Sequence, residues 1–180
     1  LSLLRTAVGL QQSPPNAVLI SLAIFLTGFI MAPVFSQSYE QGIRPLLDGE
    51  IELTEAFDRS SAPVKTFMLA HTREDDLGLF IGFMAGDPPA SAEETPFHVV
   101  APAFMISELR RAFEIGFLLF IPFLIIDLVV ASILMSMGMM MLPPIVISLP
   151  FKLIFFVLVD GWRLVAGSLV QSFATISPPG

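Results

Sequence analysis

Four charged side chains stand in or beside long apolar runs of this 180-residue chain: Asp127, Lys152, Asp160 and Arg163. Between Glu114 and Lys152, Asp127 is the only charged residue. An unpaired charge at the centre of a bilayer costs roughly 2.5 to 3.5 kcal/mol on insertion scales, so four facing lipid would cost on the order of 10 kcal/mol. They are therefore expected to face protein, water or one another. If the chain folds back near residue 147, Arg163 lies across from Ala131, one helical turn from Asp127. Asp160 stands three residues before Arg163 on the same helix. The expectation is that Arg163 is neutralised by Asp127, Asp160 or both. Lys152, close to the fold-back, would snorkel at a helix end or find its partner at a subunit boundary or in water. A second concentration of chemistry is MSMGMMM at 135 to 141, which holds Met135, Met137, Met139, Met140 and Met141, five of the nine methionines. Two readings stand: apolar filler, or flexible thioethers suited to a surface that conforms to varied partners.

The remaining chemistry is excluded rather than found. The absence of cysteine removes disulfides, thiolate metal sites and thiol nucleophiles. His71 and His98 are 27 residues apart with no metal-spaced carboxylates beside them, which argues against a metal site. No phosphate-binding glycine loop, nucleophile elbow, zinc-protease helix or dinucleotide turn is present, nor a basic-aromatic surface for nucleic acid. Glu93 and Glu94 are adjacent in a polar loop, which is not a positioned acid/base pair. The chain reads as a non-enzyme without cofactor.

Long apolar helices must position the charges and the methionines. With 54% hydrophobic residues, the chain is one compact membrane unit. Residues 115 to 141 would form a helix about 40 Å long and residues 151 to 173 one of about 35 Å, each enough to span a hydrocarbon core. Pro143, Pro144 and Pro150 are expected to separate them, giving a helical hairpin, and Pro122 to kink or interrupt the first. Phe104, Leu109, Phe113 and Phe117 carry helical spacing into that stretch from Pro102. Ala17 to Phe35 is a further uncharged run of spanning length, after a turn at Ser13, Pro14 and Pro15 with Asn16 as its cap. Residues 36 to 97 carry 12 acids and 4 bases. This stretch reads as a small water-facing helical module. Asp48 and Gly49 should stop a first segment, Thr54 cap a second, and Thr72 with Asp75 open a helix through Leu77, Phe80, Ile81 and Met84 that Gly86 ends. The loop DPPASAEETP that follows is expected to be mobile and tolerant of insertion. Basic-residue bias puts this module on the periplasmic side, although Arg110 and Arg111 fit that rule poorly. The expected fold is an all-α membrane protein of hydrophobic helical hairpins and Pro-broken helices. Its regions are 1–35 (hydrophobic), 36–97 (acidic) and 98–180 (hydrophobic hairpin).

Several phrases in order carry a resemblance: IPFLIIDLVVAS, MGMMMLPP, LPFKL and FVLVDGW, preceded by SELRRAFEIGF, with SPPN, FLTGFIMAPV, FMLAHTREDDLGLF and PAFMISEL upstream. Together they closely resemble the FliP family of the flagellar type III export gate, over nearly the whole chain. The related SctR proteins of virulence secretion share the architecture, but LPFK and FVLVDGW look more flagellar. The resemblance implies a pentameric channel completed by FliQ and FliR, with FlhB as a further partner. It would pass unfolded flagellar export substrates through a pore closed by a methionine gasket, in the bacterial inner membrane at the basal body. It also implies an assembly raised largely out of the bilayer, with helices tilted around the channel. FliP-family chains carry a signal sequence and an earlier helix, so residues 1 to 10 are expected to be the tail of a longer helix. The competing class is a secondary transporter or ion-channel subunit, whose broken helices and midplane charges look alike in one sequence. Such a protein would be expected to show internal repeats, and this chain shows none.

Overall fold

The computed structural model describes residues 1–84, 87–139 and 141–174. Its regular elements are helical: α1 (Ser2–Val8), α2 (Asn16–Ser38), a π-helical turn (Tyr39–Ile43), α3 (Arg44–Leu47), α4 (Leu53–Ala70), α5 (Glu74–Ile81), a 3₁₀ turn (Ala92–Glu94), α6 (Phe97–Ser136), α7 (Pro144–Leu158) and α8 (Gly161–Ala174). No strand occurs among the described residues, as the all-α reading requires. Two stretches, Asn16–Leu47 and Phe97–Ser136, are long and apolar enough to cross a membrane. The pair α7 and α8, bent by 59° at its break, makes a third if taken as one span.

The 40 residues of α6 extend about 60 Å, twice a hydrocarbon core of about 30 Å. Its charges divide it: Glu108, Arg110, Arg111 and Glu114 fall in the first half, and only Asp127 in the second. The second half alone is long enough to span. Pro102 and Pro122 both lie inside α6, which continues through them, so Pro122 does not interrupt the helix. Pro150 likewise sits within α7 and Pro33 within α2. An interior proline deletes one backbone bond, whereas ending a helix in an apolar medium orphans up to four donors and four acceptors. Continuing is the smaller cost. The chain turns instead between α6 and α7, with Pro143 as N-cap and Pro144 at the first helical position, where its missing N–H is no loss.

The chain divides into two compact units. The first comprises Leu1–Leu26 and Ala112–Ser172. Its core is Leu4, Ala7 and Val8 of α1, Phe123 of α6, Phe156 of α7 and Val165 of α8. Leu3 sits so close to Gly116 that a β-carbon there would have to displace it. Such approach through a small residue is how helices gain packing where lipid removes most of the hydrophobic drive. Gly9 ends α1 at φ 88, its N–H bonding Thr6 O at 3.0 Å while Leu10 N–H bonds Arg5 O at 3.1 Å. This left-handed cap satisfies carbonyls that would otherwise be orphaned. The Arg5 guanidinium donates to Pro14 O at 3.2 Å and to Asn16 Oδ1 at 2.7 Å, tying α1 to the start of α2.

The second unit comprises, among the described residues, those of Thr27–Arg111 together with Phe173 and Ala174. The π-helical turn and α3 pack along α4 through small residues. A β-carbon on Gly42 would meet Ala56 O at 2.5 Å and Ser60 N at 2.7 Å, so the two backbones are in contact. Asp48 and Gly49 end α3, with Gly49 at φ 73. Other expected caps are corrected. α4 is preceded by Glu52, leaving Thr54 within its first turn. α5 starts at Glu74 with Arg73 as N-cap, while the Thr72 hydroxyl donates back to Met68 O at 2.7 Å. Thr72 is thereby held on the preceding helix, and Arg73 takes the N-cap position without a side-chain cap of its own. Ser107 of α6 takes over: its Oγ accepts from Arg73 N–H at 3.0 Å and donates to Asp76 Oδ2 at 2.6 Å. α5 ends at Ile81, and Gly86 lies outside the described residues. Lys65 donates to Glu93 O, anchoring the 3₁₀ turn to α4. His71 is buried beside Phe67 and Phe173, with ring centroids 4.4 and 5.1 Å away, and its Nδ1–H donates to Phe67 O at 2.8 Å. His98 is exposed.

Candidate functional site

The first unit brings two of the four charges of the apolar runs together, though not the pair expected. Lys152 Nζ lies 2.6 Å from Asp127 Oδ2. Lys152 is 4% exposed, so it neither snorkels nor waits for a partner elsewhere. Ser148, one turn before Lys152 on the same face of α7 and fully buried, donates its hydroxyl to Asp127 Oδ1. Each carboxylate oxygen of Asp127 therefore has its own donor. Gly9 lies beside this pair: a β-carbon there would stand in ordinary contact with Lys152 Nζ, at 3.8 Å, so glycine is required by its φ of 88 and not by lack of space. Arg163 and Asp160 are both exposed, and neither forms an ion pair among the described residues. The neutralisation of Arg163 by Asp127 or Asp160 is thus overturned.

The cause is a shift of register. With Pro150 inside α7, that helix starts at Pro144 and not at 151. The fold-back is then centred near residue 140, in the methionine segment, and Lys152 comes opposite Asp127. Ser148 was missed by sequence reasoning. Its signal was there: a hydroxyl four residues before the one lysine of an apolar helix supplies the extra hydrogen bond that a buried ion pair needs.

The methionines are placed by the turn that closes α6. Gly138 adopts φ 73, its N–H bonding Met135 O at 3.1 Å while Met139 N–H bonds Leu134 O at 3.0 Å. This cap stops α6. Met135, Met137, Met139 and Met141 are all exposed, with Met141 at 98%. Met140 lies outside the described residues. The segment is thus a display of thioethers at the closed end of a hairpin, and its exposed side chains fill none of the first unit's core.

The break between α7 and α8 was not expected, because residues 151 to 173 read as one helix. Val159 caps α7 and Asp160 takes φ 51, a left-handed conformation that a short polar side chain tolerates better than a branched one. Gly161 follows because the Phe156 ring occupies the space a β-carbon would need. Trp162 packs edge-on against that same ring at 5.4 Å. The sequence Val159–Trp162 is an elbow, closed by aromatic packing rather than by a proline.

Together these features make an ion-paired apolar stem with exposed Met135, Met137, Met139 and Met141 at one end and a bent third arm. The sequence model of the FliP family matches residues 1–169. Over 173 residues the chain is 72% identical to the flagellar biosynthetic protein FliP of Caulobacter vibrioides, covering 96% of this chain and 65% of that one. It is 57% identical to the protein of the same name from Bacillus subtilis, covering 96% and 78%. The corresponding figures for that of Cereibacter sphaeroides are 56%, with 96% and 58% covered. The chain thus spans somewhat less than two thirds of the Caulobacter and Cereibacter proteins. By the match of the family model to residues 1–169 and by these identities, the chain belongs to the FliP family.

Proposed function

We propose that this chain is a structural, channel-forming subunit of the flagellar protein-export apparatus, acting as a gate and not as a catalyst. Its site is the methionine apex at residues 135 to 141. Copies assemble as a homo-oligomeric ring, a pentamer in this reading, with FliQ and FliR subunits and with FlhB adjoining. The ring sits in the bacterial inner membrane with residues 36–97 on the periplasmic side. Unfolded flagellar proteins pass through its centre, and Met135, Met137, Met139, Met140 and Met141 close around them.

The observation that carries this reading is the exposure of Met137, Met139 and Met141 at the apex of a hairpin whose stem is locked by Asp127, Ser148 and Lys152. An unbranched thioether has three rotatable bonds and a polarisable sulfur, so a ring of them conforms to whatever chain it surrounds. A rigid stem holds the ring in register while its side chains move. Exposed apolar residues on α2, α6 and α7, among them Phe25, Phe117 and Val157, are consistent with burial against other subunits and lipid.

The elbow at Asp160 would also suit a transporter, whose broken helices line a substrate site. One measurement separates the two readings: the mass of the detergent-extracted complex. A gate subunit gives a discrete assembly containing several copies of this chain and its partners. A folded monomer that remains stable under gentle extraction would contradict the proposal.

A further inference from the structure

The hairpin that the π-helical turn and α3 make with α4 is closed on its inside by small residues and carries bulky apolar residues on its outside. Gly42 meets Ala56 and Ser60 at backbone distance, so no space remains between the helices for a larger side chain. The bulky residues near the turn point away instead. Leu47 is 71% exposed, and Leu53 and Phe57 are each 70% exposed. Leu53 and Phe57 are four residues apart on α4 and so share one face, and Leu47 is the last residue of α3. These three cannot be covered by closing the hairpin, because its interior is already filled.

The surroundings of this apolar patch select what covers it. Glu50, Glu52 and Asp58 are exposed beside it and form no ion pair among the described residues. The nearby bases Arg44 and Arg59 are engaged with Glu40 and Glu55 on their own helices. Residues 36–97 carry 12 acids against 4 bases, so a second copy presenting the same face would meet like charge. An anionic lipid surface would be repelled for the same reason. A segment with apolar residues at helical spacing, flanked by lysine or arginine, fits both the patch and its rim. The backbone contact at Gly42 holds the surface rigid before binding, which lowers the ordering cost.

We propose that the turn end of the α3–α4 hairpin docks a basic amphipathic helix of another protein, with Leu47, Leu53 and Phe57 as apolar anchors and Glu50, Glu52 and Asp58 as the charged rim. This inference is independent of the methionine reading. The test places benzoylphenylalanine at position 57 of the full-length protein in its assembled membrane complex and sequences the photocrosslinked peptide. The expected product is a peptide from a different protein, net positive, with apolar residues at helical spacing. Its yield should fall about tenfold in the Glu50→Lys/Glu52→Lys/Asp58→Lys variant, as expected when a charged rim steers and holds a partner. Raising the ionic strength of the unsubstituted complex should lower the yield in the same direction, which keeps the test valid if the triple variant assembles poorly. A crosslink to another copy of this chain, a crosslink to lipid, no crosslink, or a yield indifferent to both charge reversal and salt would each overturn the proposal.

Discussion

Removing Asp127 leaves an ammonium buried in an apolar stem, and the structure says how much that should cost. Lys152 is 4% exposed and Asp127 23%. Breaking a buried pair from one side typically costs about 3 to 5 kcal/mol, because the remaining charge has lost its partner but not its desolvation. The two sides are not equivalent here. Asp127→Leu strands the more buried group and should fall near the upper end of that range. Lys152→Met leaves a carboxylate that is partly exposed and still accepts from Ser148, so it should fall near the lower end or below. At about 1.4 kcal/mol per decade, the range corresponds to roughly two to four orders of magnitude in the folding equilibrium. Replacing both partners, Asp127→Leu with Lys152→Met, should recover most of the loss, since a well-packed apolar pair is often neutral relative to a buried ion pair. The assay is a double-mutant cycle on reversible unfolding of the detergent-solubilised protein. Strictly additive losses would show that the two residues are not coupled and would refute the argument.

Other substitutions probe separate parts of the account. Ser148→Ala should cost about 1.5 to 3 kcal/mol, the range for a hydrogen bond to a charged group, in the same unfolding assay. Gly42→Val should destabilise the α3–α4 hairpin by about 1 to 3 kcal/mol or more, seen as faster amide exchange in residues 39–60, because backbone atoms of Ala56 and Ser60 cannot move aside. Asp160→Val should cost about 1 to 2 kcal/mol and Asp160→Gly should be neutral or slightly stabilising, since only the branched side chain is penalised at φ 51. Arg59→Ala should change stability by no more than about 0.5 kcal/mol, because its pair with Glu55 is half exposed on one helix.

The helical fold and its long apolar helices were legible in the sequence because they rest on composition, and composition does not depend on register. The charge pairing was not legible, because it depends on where the fold-back is centred. Taking Pro150 as a breaker moved that centre by about seven residues and put Lys152 out of reach of Asp127, whereas the chain keeps Pro150 inside α7. The same error of weight affected Pro122. Propensity penalises a proline within a helix, but an apolar environment penalises an ended helix more. The elbow at Asp160 escaped notice for the opposite reason, since it carries no proline and depends on a left-handed aspartate and the Phe156 ring against Gly161. Ser148 could have been found by asking what else a half-buried carboxylate paired with a buried lysine needs.

The central claim is that the exposed methionines between α6 and α7 form the closure of a channel. The most direct test is solute and ion leakage through the assembled complex after Met137, Met139, Met140 and Met141 are replaced together by alanine, with the mass of the complex checked in parallel. The account predicts unchanged assembly and a clear rise in leakage. Unchanged leakage from a fully assembled complex that still exports would contradict it and return these residues to the role of apolar filler.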